Sequence, residues 1–188
     1  MPRGANGIST GGIEGHAAAV KKVQHYQVQE GLFAGEYPGS FAAEITEDRL
    51  EQLIAKGVRS FIDLTTPVDR LEPYEPAFAQ FKDTDLQRFA HEIPDMSIPS
   101  APAVMRGILD RIRSELEVDR TCYVHCWGGI GRTGTVIGCW LKEQGLSDRE
   151  ALDEVQRRYF QGMEKSSWHP KSPQTPAQHR YVRDWPDV

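Results

Sequence analysis

Short apolar runs alternate along the chain with longer segments in which apolar residues recur every three or four positions. The short runs predict strands. They lie at residues 26–40, where glycines between the apolar positions favour a hairpin or a bulge, and at residues 58–64, 88–93 and 121–126. Three prolines make residues 65–76 irregular between the second and third of these runs.

The longer segments predict helices, and residues with capping preferences mark where they start. Thr46 is a candidate N-cap for a helix that Gly57 can end. Ser100 is a candidate N-cap for a second helix of about 17 residues with one apolar stripe. Both helices are amphipathic, so each is expected to lie on a face of the sheet.

Three more helices are predicted in the second half of the chain. Residues 135–141 are almost wholly apolar, and the glycine-rich turn before them favours a helix over a strand. Ser147 with Glu150, and Thr175 with Gln178, have the spacing of capping boxes. Strands that alternate with helices predict an α/β fold, in which a central mixed, mainly parallel sheet is flanked by helices on both faces.

The amino-acid composition limits the classes of protein to which this chain can belong. The 188 residues are 39% hydrophobic and 26% charged, which suits one compact domain over residues 21–188. Residues 1–20, rich in glycine and small residues, predict a flexible segment without the apolar core of a signal peptide. The formal net charge of −5 argues against a nucleic-acid partner, and no apolar run is long enough to cross a membrane.

The three cysteines are too few and too clustered for a disulfide framework. We therefore expect a monomeric protein of the reducing cytoplasm. Cys122 and Cys139 are expected to pack in the core, although a reversible bond between Cys139 and Cys126 stays open at this stage. The spacing of His125, His169 and His179 matches no compact set of metal ligands, so neither a metal nor another cofactor is expected.

The segment HCWGGIGRTG at residues 125–134 lies between a predicted strand and a predicted helix. Its glycines let the chain wind so tightly that several backbone N–H groups face one point, and the following helix adds its positive end. Such a cradle binds a tetrahedral oxyanion. It also stabilises negative charge on Cys126, which makes that sulfur a candidate nucleophile.

The neighbours of Cys126 strengthen this interpretation. Arg132 offers a planar fork for two oxygens of the anion, Thr133 can donate its hydroxyl to the sulfur, and His125 can fix the loop backbone. A structural loop with a buried cysteine, or a phosphate-binding loop without a covalent step, is the alternative. The combination of His, Cys, Arg and Thr at this spacing favours catalysis.

The pattern His-Cys-five residues-Arg-Thr resembles the signature loop of the cysteine-dependent protein tyrosine phosphatase superfamily, especially its compact dual-specificity-like branch. The resemblance implies that Cys126 attacks phosphorus and carries a phosphocysteine, while Arg132 binds the phosphoryl oxygens. It also implies a loop that surrounds the substrate phosphate, made by Trp127, Gly128, Gly129, Ile130 and Gly131. Phosphate, sulfate and vanadate are expected to bind there.

The leaving group needs a general acid, and Asp95 is the preferred candidate. It precedes Cys126 by 31 residues in a proline-rich loop that resembles the general-acid loop of the family. A turn-forming aspartate beside a proline is the alternative, and Asp63 and Asp69 are kept as reserve acids. Gln174 and Gln178 lie in a segment similar to the family's glutamine loop, which positions the hydrolytic water. Gln178 is equally explained as a capping-box residue.

The expected reaction is hydrolysis of phosphotyrosine in proteins, with phosphoserine and phosphothreonine as further substrates. No match to the tyrosine-clamping loop of the large phosphatases is present, so strict phosphotyrosine preference is not expected. A phosphoinositide, an inositol phosphate or an RNA 5′-phosphate is the second hypothesis, but residues 127–131 carry no positive charge. A phosphate-binding module without turnover, a rhodanese-like sulfurtransferase and an arsenate reductase are the others. Trp168 and His169 are candidates for the pocket rim, and a surface turn anchored by one aromatic residue is the alternative.

Overall fold

The computed structural model describes residues 22–186, which contain a five-stranded sheet. The strands are β1 (His25–Gln29), β2 (Leu32–Gly35), β3 (Val58–Asp63), β4 (Gln87–Ala90) and β5 (Thr121–His125). They lie in the order β1-β2-β5-β3-β4. Only the β1–β2 hairpin is antiparallel among these pairs, and it contains the expected irregularity between Gln27 and Gln29. The predicted mixed, mainly parallel α/β sheet is therefore confirmed.

Helices cover both faces of this sheet. They are α1 (Ala43–Ile54), α2 (Pro102–Glu117), α3 (Gly131–Glu143), α4 (Asp148–Gly162) and α5 (Pro176–Asp184). The buried core divides into two clusters. One joins the sheet to α2–α5, and the other joins it to α1 and a short 3₁₀ segment at Glu75–Gln80. In β5, Cys122 and Val124 belong to the first cluster and Tyr123 to the second, as strand alternation requires.

Helix α3 is enclosed on all sides. Every residue from 131 to 142 is buried, because the helix packs against α2, α4, α5 and the strands β2 and β5. A helix surrounded in this way needs no polar face, so its middle part, residues 135–141, is almost wholly apolar. This explains why periodicity alone did not distinguish a helix from a strand at residues 135–141.

Two predicted N-caps are wrong. Helix α1 begins at Ala43, and the Thr46 hydroxyl instead accepts a hydrogen bond from the Ser40 backbone N–H at 2.9 Å. Helix α2 begins at Pro102 rather than after Ser100, since proline already suits the first turn of a helix. In both places a tertiary contact or a neighbouring proline outweighed the capping preference of a hydroxyl side chain.

Other boundaries also differ from those predicted. Strand β4 ends at Ala90 rather than at residue 93, and α3 already begins at Gly131. Both capping boxes are confirmed, at the starts of α4 and α5. The predicted flexible segment over residues 1–20 lies outside the described residues. Within residues 22–186, no helix is long and apolar enough to cross a membrane.

Candidate active site

The segment that carries the signature loop leaves β5 at its carboxyl end. Strand β5 lies between β2 and β3 and is parallel to both, so the segments that follow these strands meet at one edge of the sheet. The chain after β3 and the chain after β4 both reach this edge. This is the usual place for a ligand site in an open α/β sheet.

The loop turns its carbonyl groups outward. Three of them accept hydrogen bonds from outside the loop: Trp127 O from Tyr37 N at 2.9 Å, Gly128 O from Lys165 Nζ at 3.1 Å, and Ile130 O from Ser172 Oγ at 2.8 Å. In a trans peptide the following N–H points the opposite way. The N–H groups of Gly128, Gly129 and Gly131 therefore face the inside of the loop and can bind an anion.

Gly129 is required for this winding. Its φ is +71°, and a β-carbon added there would lie 2.4 Å from the carbonyl carbon of Gly35. Any other residue would be strained in the backbone and would also collide with the end of β2. The signature loop is therefore seated directly against the strand beside it.

Cys126 lies at the base of the loop and is only 3% exposed. The Thr133 hydroxyl donates to Cys126 Sγ at 3.1 Å, as the sequence predicted for this pair. Helix α3 starts five residues after the cysteine, so the positive end of its dipole is close to the loop. A hydroxyl donor and a helix N-terminus both stabilise a negatively charged sulfur.

Arg132 is 1% exposed and is held by several acceptors. Its two Nη atoms donate to both carboxylate oxygens of Asp69, at 2.8 and 3.0 Å, and Nη1 also donates to the Ile93 carbonyl. Nη2 lies 3.0 Å from Asp95 Oδ1. Among the described residues, the buried Nε atom has no hydrogen-bond partner. Asp69 thus fixes the plane of the guanidinium, while Nε keeps a donor for a ligand.

The structure separates the three candidate acids. Asp63 is fully buried, and its carboxylate accepts hydrogen bonds from Thr65 and Arg88. Burial favours a raised pKa for Asp69, but the hydrogen bonds from Arg132 and Thr66 outweigh it and lower that pKa, so Asp69 is a carboxylate. Of the three, Asp95 is the one that lines the cavity beside the loop, and its side chain is 52% exposed. Because its carboxyl can be reached from the cavity, Asp95 is the favoured general acid.

His125 supports the loop from behind. Its Nε2 atom is 2.9 Å from Tyr74 Oη, and the rings of Tyr37, Tyr74 and Tyr123 pack around the imidazole. Burial lowers the pKa of His125, although Asp63 opposes the shift. We therefore describe a neutral, fully buried histidine that fixes the end of β5.

A cavity of about 580 Å³ opens over the loop. Three of its lining side chains are largely exposed and apolar: Met96, Trp127 and Trp168. His169 and Gln174 also line it, so the predicted rim residues and one of the two glutamines reach the cavity. The exposed part of the cavity lining therefore combines three apolar side chains with Asp95 and His169.

One wall of this cavity carries charges that the sequence did not reveal. Lys165 Nζ donates to Glu36 Oε2 as well as to the loop carbonyl of Gly128, and Arg49 Nη2 lies 3.9 Å from Glu36 Oε1. Glu36 therefore partly neutralises both cations. Lys165 is more than a hundred residues from Glu36 along the chain, so no local motif could identify the cluster.

Gln174 and Gln178 have different surroundings. The Gln178 side chain is fully buried, its Oε1 accepts from the backbone of Gln174 and Thr175, and its Nε2 donates to Ser97 O at 2.9 Å. Gln178 does not line the cavity, whereas Gln174 does. Gln178 therefore holds the backbone of Gln174 in place from its capping-box position, and a role for Gln178 at the substrate stays a prediction.

We expect Gln178→Ala to lower the free energy of unfolding by about 2–3 kcal/mol, because three backbone groups lose a partner and a buried site is emptied. Glu150→Ala is the matched control. Glu150 has the same capping-box position in α4, but at the surface. Its loss should be about 1 kcal/mol or less. Urea unfolding measures both values, and equal losses would contradict the role of the Ser97 contact.

Cys122 and Cys139 are both buried free thiols, as Cys126 is. Burial raises the pKa of Cys122 to about 12 and raises that of Cys139 further. Both side chains belong to the core cluster next to α2–α5. Within the described part of the chain, no group of three or more His, Cys, Asp or Glu residues is arranged to hold a metal ion.

Residues 35–146 match the model of the protein family described as "Polymorphic toxin system, DSP-PTPase phosphatase". The matched region runs from the end of β2 to just beyond α3 and includes the whole signature loop. It covers more than half of the chain.

The chain is also similar to individual known proteins. The chain is 26% identical over 168 residues to "Phosphatidylinositol 3,4,5-trisphosphate 3-phosphatase and protein-tyrosine-phosphatase PTEN1" of Arabidopsis thaliana, covering 86% of this chain and 37% of that protein. Tk-PTP in its active form is 23% identical, with a TM-score of 0.65 over 86% of this chain and 95% of that one. Kinase associated phosphatase (KAP) is 19% identical, with a TM-score of 0.67 over 86% and 92%. The two structures share the fold.

Proposed function

Since the chain belongs to the DSP-PTPase phosphatase family of polymorphic toxin systems and is a cysteine-based phosphatase, we propose that it dephosphorylates proteins at phosphotyrosine, and also at phosphoserine and phosphothreonine. The observation that carries this proposal is the arrangement around Cys126. Thr133 donates to its sulfur, and Arg132 is presented beside it by Asp69. The exposed carboxyl of Asp95 reaches the same guanidinium.

In the first step, the Cys126 sulfur attacks phosphorus and the ester P–O bond breaks. The inward N–H groups of the loop and Arg132 hold the phosphoryl oxygens while charge redistributes. Asp95 gives its proton to the leaving oxygen. A phosphoryl group that takes Arg132 Nη2 as a partner would displace Asp95 from that atom and leave its carboxyl beside the ester oxygen.

In the second step, water attacks the phosphocysteine. Asp95, now a carboxylate, accepts a proton from the water, and the P–S bond breaks to release phosphate and the cysteine sulfur. Gln174 lines the cavity and is the side chain proposed to aim the water. Gln178 holds the backbone of Gln174 through its Oε1 atom.

The preference for protein substrates rests on the walls of the cavity. Residues 127–131 of the loop contribute no positive charge, and the exposed side chains of Met96, Trp127 and Trp168 line the cavity. Aromatic side chains at a pocket mouth stack on aryl groups and cover apolar residues of a peptide. The two cations in the wall, Arg49 and Lys165, are already paired with Glu36.

A phosphoinositide or an inositol phosphate is the second candidate substrate. Arg49 and Lys165 line the cavity, and the name of the Arabidopsis relative includes activity on a phosphatidylinositol trisphosphate. Rates on a phosphotyrosine peptide, a phosphoserine peptide and soluble inositol phosphates at equal ionic strength test the choice. Higher kcat/KM for the peptides supports the proposal, and higher values for the inositol phosphates overturn it.

The rest of the proposal concerns the protein as a whole. Residues 21–188 form one catalytic domain that works as a cytoplasmic monomer without a metal or another cofactor. Its partners are phosphorylated proteins or peptides, and phosphate, sulfate or vanadate compete for the loop. Full activity in the presence of a chelator is the expected result, and loss of activity that added metal restores would contradict it.

We expect Asp95→Asn to slow hydrolysis of an alkyl phosphate by about 10²–10⁴-fold, because the leaving alkoxide then has no proton donor. Hydrolysis of an aryl phosphate with a good leaving group should slow much less. Steady-state kinetics on both substrates measure the difference.

Glu92→Gln is the matched control for Asp95→Asn, since it removes a carboxylate from the same segment outside this cavity. It should change neither rate by more than about twofold. The comparison uses kcat/KM, which reports the step in which the leaving group departs and not the later attack of water. An equal loss of kcat/KM on both leaving groups in Asp95→Asn would show that Asp95 is not the proton donor.

A further inference from the structure

A second groove of about 460 Å³ runs along α5 and is strongly basic. We call it the α5 groove. Its lining side chains are Gln156, Lys171, Gln174, Thr175, Pro176, His179, Arg180 and Arg183. Three of these are permanently or ordinarily cationic at neutral pH, and none is a carboxylate. The chain as a whole has a net charge of −5, so this positive surface is local.

The cations of the α5 groove have no partner among residues 22–186. Lys171, Arg180 and Arg183 are exposed, and their side chains form no hydrogen bond or ion pair within the described residues. On the neighbouring helix α4, Arg149, Arg157 and Arg158 all contact carboxylates.

Like charges in a concave wall repel one another, and the same wall concentrates the positive potential. Arginine guanidinium groups are also suited to bidentate contacts with phosphate. The α5 groove therefore has the charge and the donors to bind an anion.

The α5 groove is next to the candidate active site. Gln174 lines both the α5 groove and the cavity over the signature loop. His179 Nε2 lies 2.8 Å from the Pro173 carbonyl, so the imidazole is held against the segment that joins the two cavities. Gln174 is thus a wall that the two cavities share.

We propose that the α5 groove binds a second phosphate group of the substrate, and that Arg180 and Arg183 are its main ligands. This inference rests on the proposed function, because it assigns the first phosphate to the signature loop. The substrate class is a protein segment that carries two phosphates a few residues apart. One phosphate lies over Cys126, and the other lies between the two arginines and Lys171.

The test compares peptides with one phosphotyrosine and peptides with a second phosphate placed one to four residues away on either side. Binding is measured by fluorescence anisotropy on the Cys126→Ser protein, which removes turnover from the measurement. At least one spacing should bind about tenfold more tightly than the singly phosphorylated peptide. In the Arg180→Ala/Arg183→Ala double variant, that preference should disappear while affinity for the singly phosphorylated peptide stays unchanged.

The charge-matched control is Arg149→Ala/Arg157→Ala, which removes two positive charges from the exposed face of α4. It should keep the preference for two phosphates. A preference that survives loss of Arg180 and Arg183, or falls equally in the control, overturns the proposal. The proposal is also overturned if binding of inositol hexakisphosphate depends on these arginines while binding of every peptide does not.

Kinetics on the protein with Cys126 intact separate this inference from the proposed function. The double variant should raise KM for the doubly phosphorylated peptide about tenfold and leave kcat unchanged. If no phosphopeptide releases phosphate, the proposed function fails, and the anisotropy measurements still decide whether the α5 groove binds a second phosphate. Circular dichroism confirms that each variant is folded.

Discussion

Cys126→Ser is expected to lower kcat on any phosphomonoester by at least about 10⁴-fold, because removing a nucleophile removes the covalent route. A serine hydroxyl at this position is a much weaker nucleophile than the cysteine sulfur that it replaces. The loop and Arg132 are unchanged, so inorganic phosphate should still bind. Steady-state rates and isothermal titration with phosphate measure the two effects.

Cys122→Ser is the control, since it replaces a buried cysteine of β5, four residues before Cys126. It should affect stability rather than the chemical step. Rapid acid quenching of the unmodified enzyme with substrate should trap phosphate on Cys126, visible by mass spectrometry of the peptide that contains it. Turnover that persists in Cys126→Ser would contradict a covalent mechanism through Cys126.

Asp69→Asn is expected to lower the free energy of unfolding by about 3 kcal/mol, because it leaves the buried Arg132 guanidinium without its bidentate partner. It should also lower kcat, since Asp69 sets the plane in which Arg132 presents Nε. Glu75→Gln removes a carboxylate that pairs with Arg88 at the surface. This control should cost less than about 1 kcal/mol.

The Asp69 effect should depend on pH with a definite sign. Hydrogen bonds from Arg132 and Thr66 outweigh burial and lower the pKa of Asp69, so the folded state binds a proton less readily than the unfolded state. The contribution of the pair is then complete above the ordinary aspartate pKa of about 4 and is lost as pH falls through the lower folded pKa. Urea unfolding at pH 7 and at pH 3 measures this. A difference in the free energy of unfolding between the unmodified protein and Asp69→Asn that is larger at pH 3 than at pH 7 would contradict this expectation.

Local features of the fold were predictable from sequence, and features that depend on tertiary contacts were not. The capping boxes of Ser147 and Thr175 are contacts over three residues, so their spacing alone identifies them. Thr46 has the same chemistry, but its hydroxyl bonds to Ser40 before the helix. The capping preference of a residue is therefore a weak guide where another backbone group is within reach.

The candidate site divides in the same way. The signature loop is continuous in sequence, so Cys126, Arg132 and Thr133 were identified together. Asp69 was identified only as a reserve acid, because its pairing with Arg132 joins residues 63 positions apart. The signal that was available is its place after the carboxyl end of β3, at the edge of the sheet to which the loop also belongs.

The contact from Gln178 Nε2 to the Ser97 carbonyl has a consequence for the timing of the reaction. Ser97 lies two residues after Asp95, and Gln178 also holds the backbone of Gln174. Gln178 would then hold both the segment of the proton donor and the residue that aims the water. A movement that takes Asp95 away from the cavity would also displace Gln174 and the water that it aims. Departure of the leaving group and hydrolysis of the phosphocysteine would then be kinetically linked.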